Sequence, residues 1–149
     1  MRIGRAMTAA VILAAATVGF AGPARADDFG GTYTLNMGDN QSTWTVTPCE
    51  GDSFIPCVHI AQTGGPNAPF QGDAYLTVGS WSMRVDRLDA ISCEDGSKLP
   101  LPVTYSWDAV TLSGYVALFN PGLCGAKPVS LYAPISLTKI GGPPLTAES

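Results

Sequence analysis

The stretch AYLTVGSWSMRV, residues 74–85, decides the fold class, because apolar residues recur at alternate positions on both sides of Gly79-Ser80. This alternation predicts two half-buried antiparallel strands at residues 74–78 and 81–85. A Gly-Ser pair suits a two-residue type II′ turn, since glycine takes the first central position. In that register three apolar pairs share the core-facing side: Val78 with Trp81, Leu76 with Met83, and Ala74 with Val85.

The same alternation of apolar and polar residues extends over the rest of the chain in short runs separated by Gly, Pro, Asn and Asp. It predicts further strands at residues 31–37, 41–48, 57–62, 102–107, 110–119 and 129–140, with a short piece at 90–93. Turns are expected at Gly38-Asp39-Asn40, Asp95-Gly96 and Asp108-Ala109. About eight strands, each next to its sequence neighbour, indicate an all-β antiparallel meander barrel, and a two-sheet β-sandwich is the alternative.

The first 26 residues have the three parts of a cleaved signal peptide. Arg2 and Arg5 precede the uncharged run AAVILAAATVGF, residues 9–20, and Ala24-Arg25-Ala26 offers small residues two apart. The run is shorter than the roughly 20 apolar residues of a membrane span. The domain organisation is therefore a signal at 1–26, one all-β domain at 27–140, and a disordered Gly- and Pro-rich tail at 141–149, secreted or held in the cell envelope.

The charge of the chain argues against nucleic acid and anionic lipid surfaces as partners. Eight basic and twelve acidic residues give a net charge of −4, and loss of Arg2, Arg5 and Arg25 with the signal makes it −7. Phosphate binding needs clustered Lys and Arg, and the remaining basic residues are scattered. We expect no nucleic-acid partner, no membrane span and a monomeric domain.

Four cysteines, an even number in an exported chain, indicate two disulfides. The loop between Cys49 and Cys57 joins two predicted strands, which favours a bond across it and leaves Cys93 to pair with Cys124. A zinc site is disfavoured, because the chain has no C-x-x-C spacing and a single histidine. We expect no metal and no cofactor.

Catalytic motifs are weak throughout the sequence. Ser136 and Lys139 match S-x-x-K, but residues three apart on a strand point to opposite faces. His59 lies between Val58 and Ile60, which favours a polar position on an outer strand face. No residue is assigned a catalytic role.

Acidic pairs are candidates for catalysis because two carboxylates alone can hydrolyse a glycoside. The closest pairs are Asp86 with Asp89 and Glu94 with Asp95, all at strand ends, where acids are common because they are solvated and cap turns.

The aromatic residues are the most substantial candidate for a binding site. Inward-pointing aromatics can line a ligand cavity in a small barrel, although core packing is the more frequent outcome. The candidates are Trp44, Trp81, Trp107, Tyr33, Tyr105 and Phe119.

Several short motifs resemble those of a group of small exported mycobacterial-type proteins. They are Trp44-Thr-Val-Thr-Pro-Cys49, Cys57-Val-His-Ile60, Cys93-Glu-Asp-Gly96, Tyr105-Ser-Trp-Asp-Ala109 and Thr111-Leu-Ser-Gly114. The resemblance covers most of the mature chain and implies export and disulfides. It implies no catalytic residue, because the group has no assigned activity.

The sequence favours a non-enzymatic exported domain that binds a small apolar ligand or a protein partner. The competing hypothesis is a small secreted hydrolase using Asp86 and Asp89.

Overall fold

A computed structural model of the chain describes residues 29–51 and 54–141. The predicted signal peptide and residues 142–149 of the predicted tail lie outside the described residues. Gly141, which the sequence assigns to the tail, ends the last strand. Among the described residues, no helix has the length and apolarity needed to cross a membrane.

The architecture is a closed antiparallel barrel in which all eight strands follow in chain order. The predicted all-β meander barrel is therefore confirmed, and the sandwich alternative does not apply. The barrel closes where the first strand pairs with the last. The strands are β1 (Gly31–Met37), β2 (Asn40–Pro48), β3 (Cys57–Thr63), β4 (Phe70–Thr77), β5 (Ser80–Ser92), β6 (Lys98–Asp108), β7 (Ser113–Asn120) and β8 (Val129–Gly141).

The hairpin of β4 and β5 forms where the sequence predicts it, but its predicted register is wrong. Leu76 pairs with Trp81 and Ala74 with Met83, so that Val78 and Gly79, not Gly79 and Ser80, form the turn. Both turn residues have positive φ, 49° for Val78 and 79° for Gly79, as a type I′ turn requires. A valine in this conformation is strained and is therefore rare in such turns. For that reason the residue type at position 78 gives no indication of the turn. Val78 is exposed instead of facing the core.

Other strand boundaries also differ from prediction: β4 begins at Phe70 and β6 at Lys98, each four residues before its predicted start. Residues 90–93 are not a separate piece, because β5 continues through a bulge between Arg87 and Ile91. Residues 110–112 belong to a turn, where the Asp108 carboxylate accepts hydrogen bonds from the backbone N–H groups of Val110 and Thr111. Strand β7 therefore begins at Ser113.

The barrel interior is filled by aromatic side chains, as core packing requires. Trp44 lies with its ring centroid 5.1 Å from Trp107 and 5.6 Å from Tyr105. Phe119 does not join this core: it is 54% exposed on the outer face of β7, because it alternates with the inward Asn120. The buried aromatic residues are Phe29, Tyr33, Trp44, Trp81, Tyr105 and Trp107.

Both predicted disulfides are present, Cys49 with Cys57 and Cys93 with Cys124. The first bridges the β2–β3 connection. The second joins the β5–β6 turn to a short 3-10 turn at Leu123–Gly125, between β7 and β8. The described cysteines are all paired, which is compatible with an exported protein.

Candidate functional site

The two ends of the barrel differ in how they are closed. At one end lies Phe29, the residue that comes shortly before β1 in the chain. Its ring centroid lies 4.6 Å from that of Tyr33 and 5.3 Å from that of Trp81. We call this the plugged end. The other end, where β1, β3, β5 and β7 finish, is called the mouth.

A cleft of about 320 Å³ occupies the mouth. We refer to it as the mouth cleft. Strands β5 to β8 supply most of its wall, with the β1–β2 turn and the β3–β4 loop on the other side. Its apolar lining includes Met37, Val103, Val116, Leu118, Leu131 and Ala133, and its polar lining includes Asn67, Arg87, Asp89 and Ser92. Polar and apolar groups contribute equally to its exposed lining, and a cleft that combines apolar walls with a few polar groups can hold a small molecule.

Arg87 is the main charged group of the mouth cleft. Its side chain is buried on the inner face of β5, following Met83 and Val85 in the same alternation. Nη2 donates to Asp89 Oδ1 at 2.8 Å, and Nη1 donates to Tyr105 Oη at 3.1 Å. The guanidinium also lies over the Phe70 ring, 5.7 Å from its centroid. Arg87 is therefore held rigidly on three sides.

Asp89 is held as a carboxylate by its surroundings. Burial alone would raise its pKa, but the backbone N–H of Ala68 and the guanidinium of Arg87 donate to it, and the net result is a lowered pKa. Burial likewise opposes the charge of Arg87, yet Tyr105 and Asp89 raise its pKa overall. The pair is thus ionised and mutually neutralised at neutral pH.

One polar atom of this group is left without a partner. Nε of Arg87 is buried and has no hydrogen-bond acceptor among the residues that the structure describes. A buried donor without an acceptor costs about 1–3 kcal/mol. Nε is thus the one nitrogen of the Arg87 guanidinium group that no described residue uses as a hydrogen-bond donor.

A second polar cluster lies on the outer face of β3 and β4. The ring of His59 contacts Asp73 Oδ1 through Nδ1 at 2.8 Å and Gln71 Oε1 through Nε2 at 2.9 Å. Hydrogen bonds to Asp73 and Gln71 raise the pKa of His59, with burial opposing them weakly. Since both ring nitrogens face acceptors, the cluster favours the protonated imidazolium and leaves neither nitrogen free to act as a base.

The sulfurs of Cys49 and Cys57 lie with an Asp73 oxygen inside 4.8 Å, a spacing compatible with a metal site. Sulfurs joined in a disulfide are not thiolate ligands, however. The arrangement therefore does not supply the three donors that the distances suggest.

The acidic pairs and the S-x-x-K match are not brought into a catalytic arrangement. Asp86 is exposed on the outer face of β5, whereas Asp89 is committed to Arg87. Asp95 accepts from Ser97 within its turn. Ser136 and Lys139 are three residues apart on β8 and therefore point to opposite faces of the strand. The Ser136 hydroxyl accepts a hydrogen bond from the Asn36 side chain instead.

A groove of about 490 Å³ runs on the outside of the barrel, between β6 and β7. We call it the outer groove. Leu101 and Pro102 of β6 form one wall, and Phe119 of β7 with Tyr132 of β8 forms the other. Phe119, expected in the core, thus contributes to an exposed apolar surface.

Sequence reasoning missed Arg87, Gln62 and Phe29 as interior residues. For Arg87 a signal existed, because the alternation through Trp81, Met83 and Val85 continues inward to position 87. Gln62 follows the inward Val58 and Ile60 in the same way.

Comparison of the chain with protein-family models, with curated proteins and with solved structures gives no significant match.

Proposed function

We propose that this chain is an exported, non-enzymatic β-barrel that binds a small apolar ligand at its mouth, in the cell envelope or the surrounding medium. The proposal rests on one observation: one end of the barrel is plugged and the other holds a cleft. Phe29 plugs one end against Tyr33 and Trp81, while the other holds the mouth cleft with its apolar lining. Because tryptophans fill the centre, the site is at the mouth and not deep inside the barrel.

The export part of the proposal rests on two features. The first 26 residues have the composition of a signal peptide. The two disulfides are compatible with an oxidising compartment. The resemblance to small exported mycobacterial-type proteins agrees with both.

The hydrolase hypothesis has less support than binding. A general acid in glycoside hydrolysis needs a raised pKa, whereas Arg87 and Ala68 lower the pKa of Asp89. Asp86 and Asp89 also differ in exposure, so they do not share one enclosed site.

A protein partner is the second candidate, favoured by exposed aromatic side chains on β7 and β8. Tyr115 is 60% exposed, Phe119 54% and Tyr132 72%. Tyrosine and phenylalanine are enriched at protein interfaces.

Native mass spectrometry of the protein purified from its own host tests the proposal. We expect an added mass of a small apolar metabolite. Ala133→Phe, which places a ring in the mouth cleft, should abolish that mass, and Thr45→Phe, on the exposed outer face of β2, should retain it. A ligand-free spectrum together with a co-purified protein would contradict ligand binding and favour the second candidate.

A further inference from the structure

We propose that the ligand is an elongated neutral amphiphile of the medium-chain acyl ester class, with its carbonyl oxygen at Arg87 and its chain leaving the barrel between β6 and β7. This inference rests on the proposed function, because it uses the mouth cleft as the binding site.

Strands β6 and β7 separate towards the mouth. They pair over only four positions, from Trp107 opposite Gly114 to Thr104 opposite Ala117. At Gly114 they are so close that a Cβ atom would collide with the backbone of Ser106. Beyond Thr104, β6 stays paired to β5 and β7 stays paired to β8, so the two strands diverge. The barrel wall therefore has a seam at this position.

The seam connects the inner and outer spaces of the barrel. Ala117, Leu118 and Tyr132 line both the mouth cleft and the outer groove. Leu118 is on the inner side of β7 and Ala117 on its outer side, so the two spaces meet across the strand. Together they form one elongated path, mostly apolar in the outer groove and mixed in the mouth cleft, which suits an extended amphiphile better than a compact ring.

The polar end of the path defines the head group. Arg87 is buried, and its Nε–H has no acceptor among the described residues. Asp89 already balances the guanidinium charge at 2.8 Å. A carboxylate would add an uncompensated negative charge beside Asp89, which burial makes costly. A neutral carbonyl oxygen accepts the hydrogen bond without that charge, and it reaches Nε once the side chains that cover this buried atom move aside.

A peptide strand is a poorer occupant of the seam. An added strand binds through backbone N–H and C=O groups of an open edge. Pro100 and Pro102 alternate in the part of β6 that has left β7, and proline has no N–H to donate. The open edge is thus protected against strand addition.

Displacement of a neutral fluorophore, N-phenyl-1-naphthylamine, by methyl esters of four to twelve carbons tests the chain path on the intact mature protein. Each methylene buried along the path should tighten binding by about fourfold. Ser130→Trp, which fills the outer groove alone, should remove the gain for long esters and leave short esters unchanged. Ser82→Trp, on the exposed outer face of β5, is the matched control.

The head group is tested by changing the ligand and not the buried Arg87. Methyl decanoate should bind at least tenfold more tightly than decane, which lacks a hydrogen-bond acceptor. It should also bind at least tenfold more tightly than decanoate, which brings a negative charge. Equal binding of the three would overturn the head-group assignment.

The outcomes separate the two proposals. If no ester displaces the fluorophore, ligand binding at the mouth is itself wrong. If esters bind but affinity stops rising beyond short chains and ignores Ser130→Trp, the mouth site stands and the seam path fails. A dimer in light scattering that Ser130→Trp dissociates would show that a second copy of the chain occupies the outer groove, which also overturns the path.

Discussion

Nε1 of Trp44 donates a hydrogen bond of 2.8 Å to Oε1 of Gln62, directly across the β2–β3 ladder and inside the barrel. Both side chains are buried, at 0% and 2% exposure. The amide of Gln62 is one of the few polar groups in the interior. It supplies the acceptor that lets the indole ring of Trp44 be buried without an unsatisfied N–H group.

Replacing Gln62 by Leu should therefore destabilise the protein despite the gain in hydrophobicity. The indole N–H of Trp44 would lose its acceptor inside the barrel, which costs about 1–3 kcal/mol. Urea unfolding monitored by tryptophan fluorescence measures the change. In the Trp44→Phe background the donor is absent, and the same Gln62→Leu substitution should cost less. An equal cost in both backgrounds would contradict the role assigned to the hydrogen bond.

Val78→Asn should stabilise the fold. Val78 has a φ of 49° in the β4–β5 turn, a conformation that a β-branched residue adopts only with strain, whereas asparagine is preferred at the first central position of a type I′ turn. We expect a gain of about 1 kcal/mol, which raises Tm by about 4 °C for a domain of this size. Thermal unfolding by circular dichroism is the measurement.

Val110→Asn is the control for Val78→Asn. Val110 is also exposed, at 86%, but it is not among the residues with positive φ. The control should leave Tm unchanged, and an equal rise in both variants would point to surface polarity and not to turn strain.

The His59–Asp73 contact should make stability depend on pH. The hydrogen bond to Asp73 raises the pKa of folded His59 above its usual value, so its stabilising effect is complete below about pH 6.5 and is lost as pH rises through the folded pKa. Asp73→Asn should lower the His59 pKa in an NMR titration and destabilise the protein more at about pH 5.5 than at about pH 8.5. Solvent screening keeps the effect below about 1 kcal/mol.

Asp86→Asn is the control for this titration, because Asp86 is an exposed acid on β5 and outside the cluster. A His59 pKa that stays the same in Asp73→Asn would refute the contact as its cause.

The two disulfides should contribute unequally to stability. Cys93 and Cys124 are 31 residues apart, and Cys49 and Cys57 are 8 apart. By loop entropy the longer link contributes about 4 kcal/mol and the shorter about 2.5 kcal/mol. Replacing each pair by serines and comparing urea midpoints tests this order. A larger loss for the Cys49–Cys57 pair would show that loop entropy does not govern the difference.

The sequence predicted the strand content, the meander order and the barrel, because two-residue alternation is strong in β1, β2 and β8 and because turns separate them. It did not predict the turn at Val78-Gly79, since valine carries no signal for positive φ and Gly79-Ser80 offered a more conventional alternative. Trp81 faces the core in both registers, but in the observed one it pairs with Leu76, and Val78 is exposed in the turn.

The mouth cleft was beyond prediction for a different reason. It lies where β6 and β7 are no longer paired, after Thr104. Pairing between strands is a contact between separate segments of the chain. Periodicity reports which face a side chain occupies but not where two strands part.

The pairing of β1 with β8 determines when this protein can finish folding. Asn36 hydrogen-bonds to Ser136, 100 residues further along the chain, and contacts of such separation slow folding because the intervening chain must first be ordered. Until β8 is available, β1 has one unpaired edge, and Tyr33 and Leu35 lack their neighbours Lys139 and Leu137. Closure of the barrel thus joins the two ends of the domain, so truncation within β8 should leave an open, aggregation-prone sheet and not a smaller stable domain.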